Sequence, residues 1–246
     1  MKKAVCIALS LLVCCALCCA AAETTGVAYG IYSMEGEQPD SVLRVTLTCD
    51  GETITAAQID EKLIPYSASG ASGWAMLDEE TASALEGATI LSGETAYPAS
   101  FSLNGIVWNG AADENGGIVY TASIGGETVD LLTYACTDEG GAWYFASEEA
   151  ELLDASGNPA ATVTVGTKAS INHGEDFWPS ELKFSGNIAK IAEYLTAYGA
   201  DFAAEDVVKG EDGVWAVADV STGATLAGTP NYLTIAQAAY ENAQAN

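Results

Sequence analysis

The stretch Val42-Leu-Arg-Val-Thr-Leu-Thr-Cys-Asp-Gly-Glu-Thr-Ile54 holds two short runs of alternating apolar and polar residues around an Asp-Gly pair. A period of two is typical of a strand with one buried face, and Asp-Gly between two such runs is a strong signal for a tight hairpin. The stretch therefore predicts an antiparallel strand pair near the start of the folded chain.

A second strand-rich block covers residues 106–165, and pairs of turn-forming residues divide it. These dipeptides are Gly116-Gly117, Gly125-Gly126, Gly140-Gly141 and Asn158-Pro159. Glycine pairs and Asn-Pro are typical of turns, so each predicts a break between strands. The apolar run Leu132–Cys136 is also strand-like, and we expect it to be one of these strands.

Three segments have helical signals. Residues 78–85 carry acidic residues in their first turn, and residues 181–198 place apolar side chains at helical spacing before Gly199. A last helix is predicted to start at Thr229 as N-cap, with Pro230 in the first helical position. Together the segments predict an α+β fold: a mostly antiparallel sheet, a few helices on one face or end, and a C-terminal helix.

The composition excludes several classes of protein. The chain has 246 residues, of which 49% are hydrophobic, with 34 acidic against 8 basic residues. Such an apolar content excludes a disordered chain, and so few cations exclude nucleic-acid binding through phosphate contacts. His173 is the single histidine, which argues against histidine-rich zinc sites. With no Gly-x-Ser-x-Gly pattern either, little supports a hydrolase.

Residues 1–22 have the pattern of a secretory signal peptide. Two lysines precede an apolar run, and small residues at Ala20 and Ala22 fit a cleavage site before Glu23. We therefore expect an extracytoplasmic protein, secreted or associated with the cell surface, with no transmembrane helix of its own after cleavage. Two alternatives are a retained membrane anchor and a lipoprotein modified at Cys15 or Cys19, although both cysteines lack a small residue immediately before them.

Five of the seven cysteines lie in this leader, which leaves Cys49 and Cys136 in the remainder. Two cysteines do not form a disulfide framework. A single bridge and two buried free thiols are equally compatible with the sequence.

The segment before the last helix contains the pattern that carries chemistry. An apolar strand, residues 214–218, leads into Asp219-Val-Ser-Thr-Gly-Ala-Thr225, a turn of small residues. This turn resembles the motif Asp-x-x-(Ser/Thr)-Gly-Ala-(Thr/Ser) of the FMN-binding domain family. The resemblance extends to the early hairpin of residues 45–54 and to the export signal. In that family a flavin transferase attaches FMN through a phosphoester bond to the last hydroxyl residue of the motif.

Carried over by position, the resemblance implies that Thr225 holds covalent FMN. Gly223 and Ala224 would leave the backbone uncovered for the cofactor and the transferase, and Gly223 would allow a positive φ. Asp219 would orient the turn or a hydroxyl, Ser221 and Thr222 would complete the site, and free amides near the helix start would solvate the phosphodiester. The alternative is that the hydroxyl residues are ordinary turn and capping residues.

The loop of residues 173–179 is the best candidate for the non-covalent part of a flavin pocket. Trp178, with Phe177, could stack on an isoalloxazine ring while His173 contacts its polar edge. The alternative is that Trp178 only packs against the following helix. The family's usual loop over the flavin has no clean counterpart here.

These features predict one FMN-binding domain, residues 23–246, with an inserted β-rich block at roughly 88–159. The function expected from the resemblance is extracytoplasmic electron transfer through covalent FMN, with a flavin transferase and a membrane or surface redox donor and acceptor as partners. Because the sequence has no second nucleotide motif, we expect an electron carrier rather than a self-contained enzyme. The competing hypothesis is a cofactor-free acidic β-rich module for surface binding or adhesion.

Overall fold

The structure is a computed structural model, which describes residues 23–32, 41–64, 77, 79–85, 87–92, 95–114, 116–170 and 181–246. The described chain is α+β, and all of its strand pairs are antiparallel, as the sequence predicts. The strands are β1 Thr24–Tyr32, β2 Ser41–Asp50, β3 Thr53–Leu63, β4 Thr89–Ser92, β5 Thr95–Pro98, β6 Ser100–Leu103, β7 Ile106–Ala112, β8 Ile118–Ile124, β9 Glu127–Asp130, β10 Glu149–Leu153, β11 Pro159–Thr164, β12 Val207–Lys209, β13 Trp215–Val217 and β14 Val220–Ser221. The helices are α1 Glu79–Ala84, α2 Leu131–Ala135, α3 Asp138–Ala146, α4 Lys183–Tyr198 and α5 Thr229–Ala245, with a 3-10 turn at Ala204–Asp206.

The first sheet has the order β1-β2-β3, and the predicted hairpin joins β2 to β3. Asp50 pairs with Thr53, and Gly51 takes a φ of 60° in the turn. Helices α4 and α5 pack on one face of this sheet, where the alternating residues Leu43, Val45 and Leu47 are buried. The β12-β13-β14 sheet adds Val217 to the same core, which is therefore built from the two ends of the described chain.

Two glycines in β1 allow the C-terminal helix to lie directly on the sheet. A Cβ atom on Gly26 would come within 1.9 Å of the carbonyl oxygen of Ala239, and one on Gly30 within 1.9 Å of Ile235 Cδ1. The contact at Gly26 is with backbone atoms, so a larger residue there would push β1 and α5 apart, whereas at Gly30 the Ile235 side chain would have to move. Gly26 therefore determines how closely α5 lies on the sheet.

The second core belongs to the middle of the chain. The six-stranded sheet β11-β10-β6-β7-β8-β9 packs with α2 and α3 around Phe101, Trp108 and Tyr120, and Val42 and Leu63 of the first sheet join this cluster. The predicted strand-rich block is therefore confirmed. The extent of an inserted block, 88–159, stays a prediction.

Two local predictions in this block are wrong. The run 132–136 lies in and just after helix α2, whose N-cap Asp130 accepts a hydrogen bond from Thr133 N. Gly140 and Gly141 lie inside α3 and form no turn. There is no room for a side chain at these glycines. A Cβ on Gly140 would lie 2.0 Å from Tyr134 O, and a Cβ on Gly141 would lie 2.3 Å from the ring of Tyr29.

Helix α3 covers the face of the first sheet opposite to α4 and α5, and charged side chains lie at this contact. The Arg44 guanidinium lies 4.5 Å from the ring centroid of Phe145 and pairs with Asp60 at 2.5 Å. Lys62 is buried: its Nζ donates to the carbonyl oxygens of Tyr144 (2.7 Å) and Ser147 (2.6 Å) and to Ser147 Oγ (2.9 Å). These bonds tie the two cores together.

Burial lowers the pKa of Lys62 to about 7, with repulsion from Arg44 adding to the effect and attraction to Glu148 opposing it. The unfolded chain then binds more protons than the folded chain above about pH 7, so the free energy of unfolding should rise with pH. We expect this rise between pH 7 and 9 in urea unfolding. Above that range the raised pKa values of Cys49 and Cys136 act in the opposite direction.

Lys62→Met is the matched control, because it keeps the length of the side chain and removes the titrating group. Its unfolding free energy should change less with pH over the same interval, whatever its absolute stability. A slope equal to that of the wild type would assign the pH dependence to another group.

A second buried charge lies on the other face of the first sheet. Glu61, 1% exposed, accepts hydrogen bonds from Ser41 Oγ (2.5 Å) and Lys168 Nζ at Oε1, and from the hydroxyl of Tyr232 at Oε2. Lys168, also 1% exposed, donates its backbone N–H to the carbonyl oxygen of Glu61 at 2.7 Å. We call Ser41, Glu61, Lys168 and Tyr232 the buried polar cluster; it joins the sheet, the segment after β11 and the first turn of α5.

Cys49 and Cys136 are both free. Cys49 is fully buried in the first core, whereas Cys136 lies at the end of α2 against the second. Burial raises the pKa of Cys136 to about 11, so its thiol is protonated at neutral pH and a poor nucleophile.

Among the described helices, none is both long and apolar enough to cross a membrane. The proposed leader, residues 1–22, lies outside the described residues.

Candidate functional site

The predicted attachment residue, Thr225, lies between β14 and α5 on a segment whose burial alternates. Thr222, Ala224, Leu226 and Gly228 are buried, whereas Gly223, Thr225 and Ala227 are partly exposed. The buried residues anchor the segment on the first core. Thr225 is therefore on the partly exposed side of the segment, where its alternate neighbours are a glycine and an alanine.

Asn187 of α4 holds the segment from one side. Its Oδ1 accepts hydrogen bonds from Thr225 N (2.6 Å), Thr225 Oγ1 (3.1 Å) and Leu226 N (3.3 Å), and its Nδ2 donates to the carbonyl oxygen of Lys183 (2.5 Å). The residue is fully buried. One side chain therefore fixes both the backbone and the hydroxyl of Thr225.

Trp215 of β13 holds the segment from the other side. Its backbone N–H donates to the carbonyl oxygen of Ala224 at 2.9 Å, and its indole Nε1 donates to that of Leu226 at 2.7 Å. The carbonyl oxygen of Trp215 accepts from Thr222 through both N (2.8 Å) and Oγ1 (2.7 Å). Thr222 thus ties the turn to strand β13.

Asp219 and Ser221 precede Thr222 in the hairpin formed by β13 and β14. Ala218 and Asp219 have φ values of 46° and 69°, which is the pattern of a type I′ turn, and they connect β13 to β14. The carboxylate of Asp219 is exposed, and it has no hydrogen-bond partner in the part of the chain that the structure describes. Ser221 is also exposed and accepts from Gly223 N at 3.2 Å. The structure therefore brings Ser221 to the turn and leaves Asp219 at its tip.

Gly223 takes the positive φ that the motif predicts, 74°. A Cβ at this position would lie 3.1 Å from Lys190 Cδ, so the aliphatic stem of Lys190 passes beside the bare backbone. The Lys190 ammonium pairs with Glu193 at 2.6 Å, and both side chains are well exposed. The Lys190 ammonium is therefore paired, and the aliphatic stem of Lys190 is the part that lies against the segment.

Most amides of the segment are already used. Those of Gly223 and Ala224 donate to Ser221 Oγ and Thr222 Oγ1, and those of Thr225 and Leu226 to Asn187. Within the described residues only Ala227 and Gly228, at the start of α5, have backbone N–H groups on this segment without an acceptor. Of the free amides that the sequence predicts near the helix start, these two are the ones found in the described part of the segment.

The start of α5 differs from its prediction in detail. The N-cap position is Gly228, Pro230 is the second helical residue, and Thr229 is the first. The Thr229 hydroxyl donates to the carbonyl oxygen of Leu226 at 2.8 Å, so it does not cap the helix amides.

The aromatic part of the predicted pocket cannot be located, because His173 and Trp178 lie outside the described residues. Two other aromatic residues lie near the segment. The ring of Tyr32 packs on Gly228, where a Cβ would come within 2.0 Å of it, and its centroid is 6.3 Å from that of Tyr232. Phe184 precedes Asn187 by one turn of α4 and is buried in the first core.

Sequence reasoning missed Asn187, Trp215 and Lys190. A signal for Asn187 was present: within the helical pattern of 183–198 it occupies the buried stripe that Phe184 and Ile191 define, where an apolar residue is expected. A fully buried asparagine needs hydrogen-bond partners from elsewhere in the chain. The partner, 38 residues away, was not readable from the pattern.

Comparisons with known proteins leave the family open: no family model, no curated protein and no solved structure matches the chain. Within the described residues, no cluster of histidine, cysteine, aspartate and glutamate side chains is arranged to hold a metal ion.

Proposed function

We propose that the protein is an exported electron carrier that holds FMN covalently on Thr225. The observation that carries the proposal is the position of Thr225, which is partly exposed between small alternate neighbours and has its hydroxyl held by a buried asparagine. A hydroxyl used only for turn formation would bond to a nearby backbone group, as those of Thr222 and Thr229 do.

The residues present fit the attached group. Gly223 and Ala227 place no bulky side chain on the partly exposed side of the segment, and the aliphatic stem of Lys190 passes beside Gly223. The unbonded amides of Ala227 and Gly228 lie at the N-terminus of a 17-residue helix, which favours a phosphate electrostatically. Asn187 and Trp215 keep the segment rigid, so that the hydroxyl is presented in one orientation.

Formation of a phosphoester from a neutral hydroxyl requires an activated phosphate. The donor class is a phosphoanhydride of FMN: the bond from Thr225 Oγ1 to phosphorus forms, and the anhydride P–O bond breaks. The leaving group departs with the bonding electron pair, and the hydroxyl proton passes to a base. This chain supplies the acceptor hydroxyl, and a separate flavin transferase would bind the donor.

Bound FMN would supply the redox chemistry, and the protein would supply the tether, the surroundings and access for partners. A covalent link suits this chain, because its excess of acidic residues repels a free phosphorylated cofactor. We propose that residues 1–22 direct export and that a membrane or surface donor and acceptor exchange electrons with the flavin.

Intact-mass measurement of the native exported protein tests the proposal. The expected mass is that of the chain from Glu23 plus one FMN phosphoester, and a peptide containing Thr225 should carry the added mass. A mass without flavin, from cells with an active flavin transferase, would favour the cofactor-free surface module. A diacylated Cys15 or Cys19 would replace the proposed cleavage site by a lipid anchor.

A further inference from the structure

Asn187 is the residue that connects α4 to the proposed attachment point. We propose that it is the positioning residue of the attachment reaction: it fixes the Thr225 hydroxyl in one orientation, with its proton directed at Asn187 Oδ1. This inference rests on the proposed attachment of FMN to Thr225.

Three hydrogen bonds that converge on Asn187 Oδ1 restrain Thr225. Its Oδ1 receives the backbone N–H of Thr225 and that of Leu226, which sets the backbone on both sides of the Thr225 Cα. The third bond, from Thr225 Oγ1, sets the side-chain rotamer. Two backbone donors at this position require an acceptor, so the amide oxygen and nitrogen are assigned by their partners.

The direction of the hydroxyl bond determines what the oxygen offers. Asn187 Oδ1 has no proton to donate, so Thr225 Oγ1 donates its single proton to it. The lone pairs of Oγ1 are then not directed at Asn187, which is fully buried beside the partly exposed Thr225. The hydroxyl proton is therefore held in a fixed direction, and with it the orientation of the oxygen that would attack the phosphate.

The same bond acts during the reaction. As the Oγ1–P bond forms and the anhydride bond breaks, positive charge develops on the attacking hydroxyl, and an acceptor already in place stabilises it. A neutral amide oxygen is too weak a base to keep the proton, which passes to a base of the transferase or to solvent. In phosphoryl transfer, catalysis depends mainly on such positioning and electrostatic stabilisation.

A purely structural role makes a different prediction, and Thr229 provides the comparison. Thr229 is fully buried, and its hydroxyl holds the same segment by donating to the carbonyl oxygen of Leu226 at 2.8 Å. If rigidity of the segment were all that mattered, Thr229→Val and an Asn187 variant of equal stability would lose attachment equally.

The experiment measures the rate of FMN attachment by mass spectrometry, with a purified flavin transferase, a dinucleotide of FMN as the phosphoanhydride donor, and varied concentrations of the acceptor protein. Asn187→Leu should lower kcat by about 100-fold, the size expected when a reacting group is misplaced by about 1 Å. Asn187→Asp restores an acceptor at the same position and should retain attachment, with kcat now rising with pH as the carboxylate ionises and accepts the proton. Thr229→Val should keep a kcat near that of the wild type.

Thermal unfolding of each variant separates folding from positioning, and if Asn187→Leu does not fold, the pH profile of Asn187→Asp decides. Equal kcat values in the Asn187 variants and the wild type, without a new pH dependence, would overturn the inference. So would an equal loss in Thr229→Val and Asn187→Leu at matched stability. If the wild type itself takes up no FMN, it is the proposed function that fails.

Discussion

Thr225→Val is expected to abolish covalent FMN completely and to leave the protein folded. Valine keeps the β-branched shape of the side chain and removes only the oxygen that would form the ester. The physical cost is small, because Asn187 Oδ1 retains the backbone donors of Thr225 and Leu226 after the hydroxyl is lost. Losing one hydrogen bond to an acceptor that stays satisfied costs about 1 kcal/mol or less.

The measurement is denaturation-resistant yellow colour, together with the mass of the Thr225 peptide, after co-expression with an active flavin transferase. Ser221→Ala is the matched control, since Ser221 is exposed and makes one bond to Gly223 N. We expect this variant to be modified. Thr225→Val that still carries flavin after denaturation would move the attachment elsewhere, and the electron-carrier proposal would lose its basis.

The elements that the sequence predicted correctly are those with local signals. The Asp50-Gly51 hairpin, the helix that ends before Gly199 and the helix that starts near Pro230 each have their boundary residues within a few positions of the element. Local patterns of this kind do not depend on distant contacts. The α+β class follows from them directly.

The errors occurred where distant contacts determine the local structure. Gly140 and Gly141 resemble a turn, but the approach of Tyr134 and Tyr29 requires small residues inside a helix. The strand-like run 132–136 became helix α2, whose start is capped by Asp130. Intrinsic preference is weak for such short segments, and tertiary packing overrides it.

The residues of the candidate site also divide into those with a local sequence signal and those placed by distant contacts. Thr225 and the positive φ of Gly223 were readable from the motif, because both depend on the turn itself. Asn187 was not, since its role depends on how α4 packs beside a segment 38 residues later. The buried polar cluster was not readable from local patterns either, because Glu61 lies 107 residues from Lys168 and 171 residues from Tyr232 in the chain.

The buried polar cluster is expected to produce the largest loss of stability of any single substitution proposed for this protein. Lys168→Met leaves the carboxylate of Glu61 buried without its cation, while Ser41 and Tyr232 still donate to it. Removing one partner of a buried ion pair costs about 3–5 kcal/mol. For a chain of this size we expect a drop in Tm of roughly 10 °C or more, measured by circular dichroism.

The double variant Glu61→Gln with Lys168→Met tests the physical reason for this loss. Glutamine keeps an acceptor for the hydroxyls of Ser41 and Tyr232, and no uncompensated charge remains, so the double variant should be more stable than Lys168→Met alone. As a control, Lys190→Met removes the exposed pair with Glu193 and should change the stability little. If the double variant is less stable than the single one, the lost packing of the Lys168 side chain, and not an uncompensated Glu61 charge, is the source of the loss. In that case the cluster joins the first sheet to α5 mainly through van der Waals contact, including that of Lys168 with the rings of Tyr32 and Phe184.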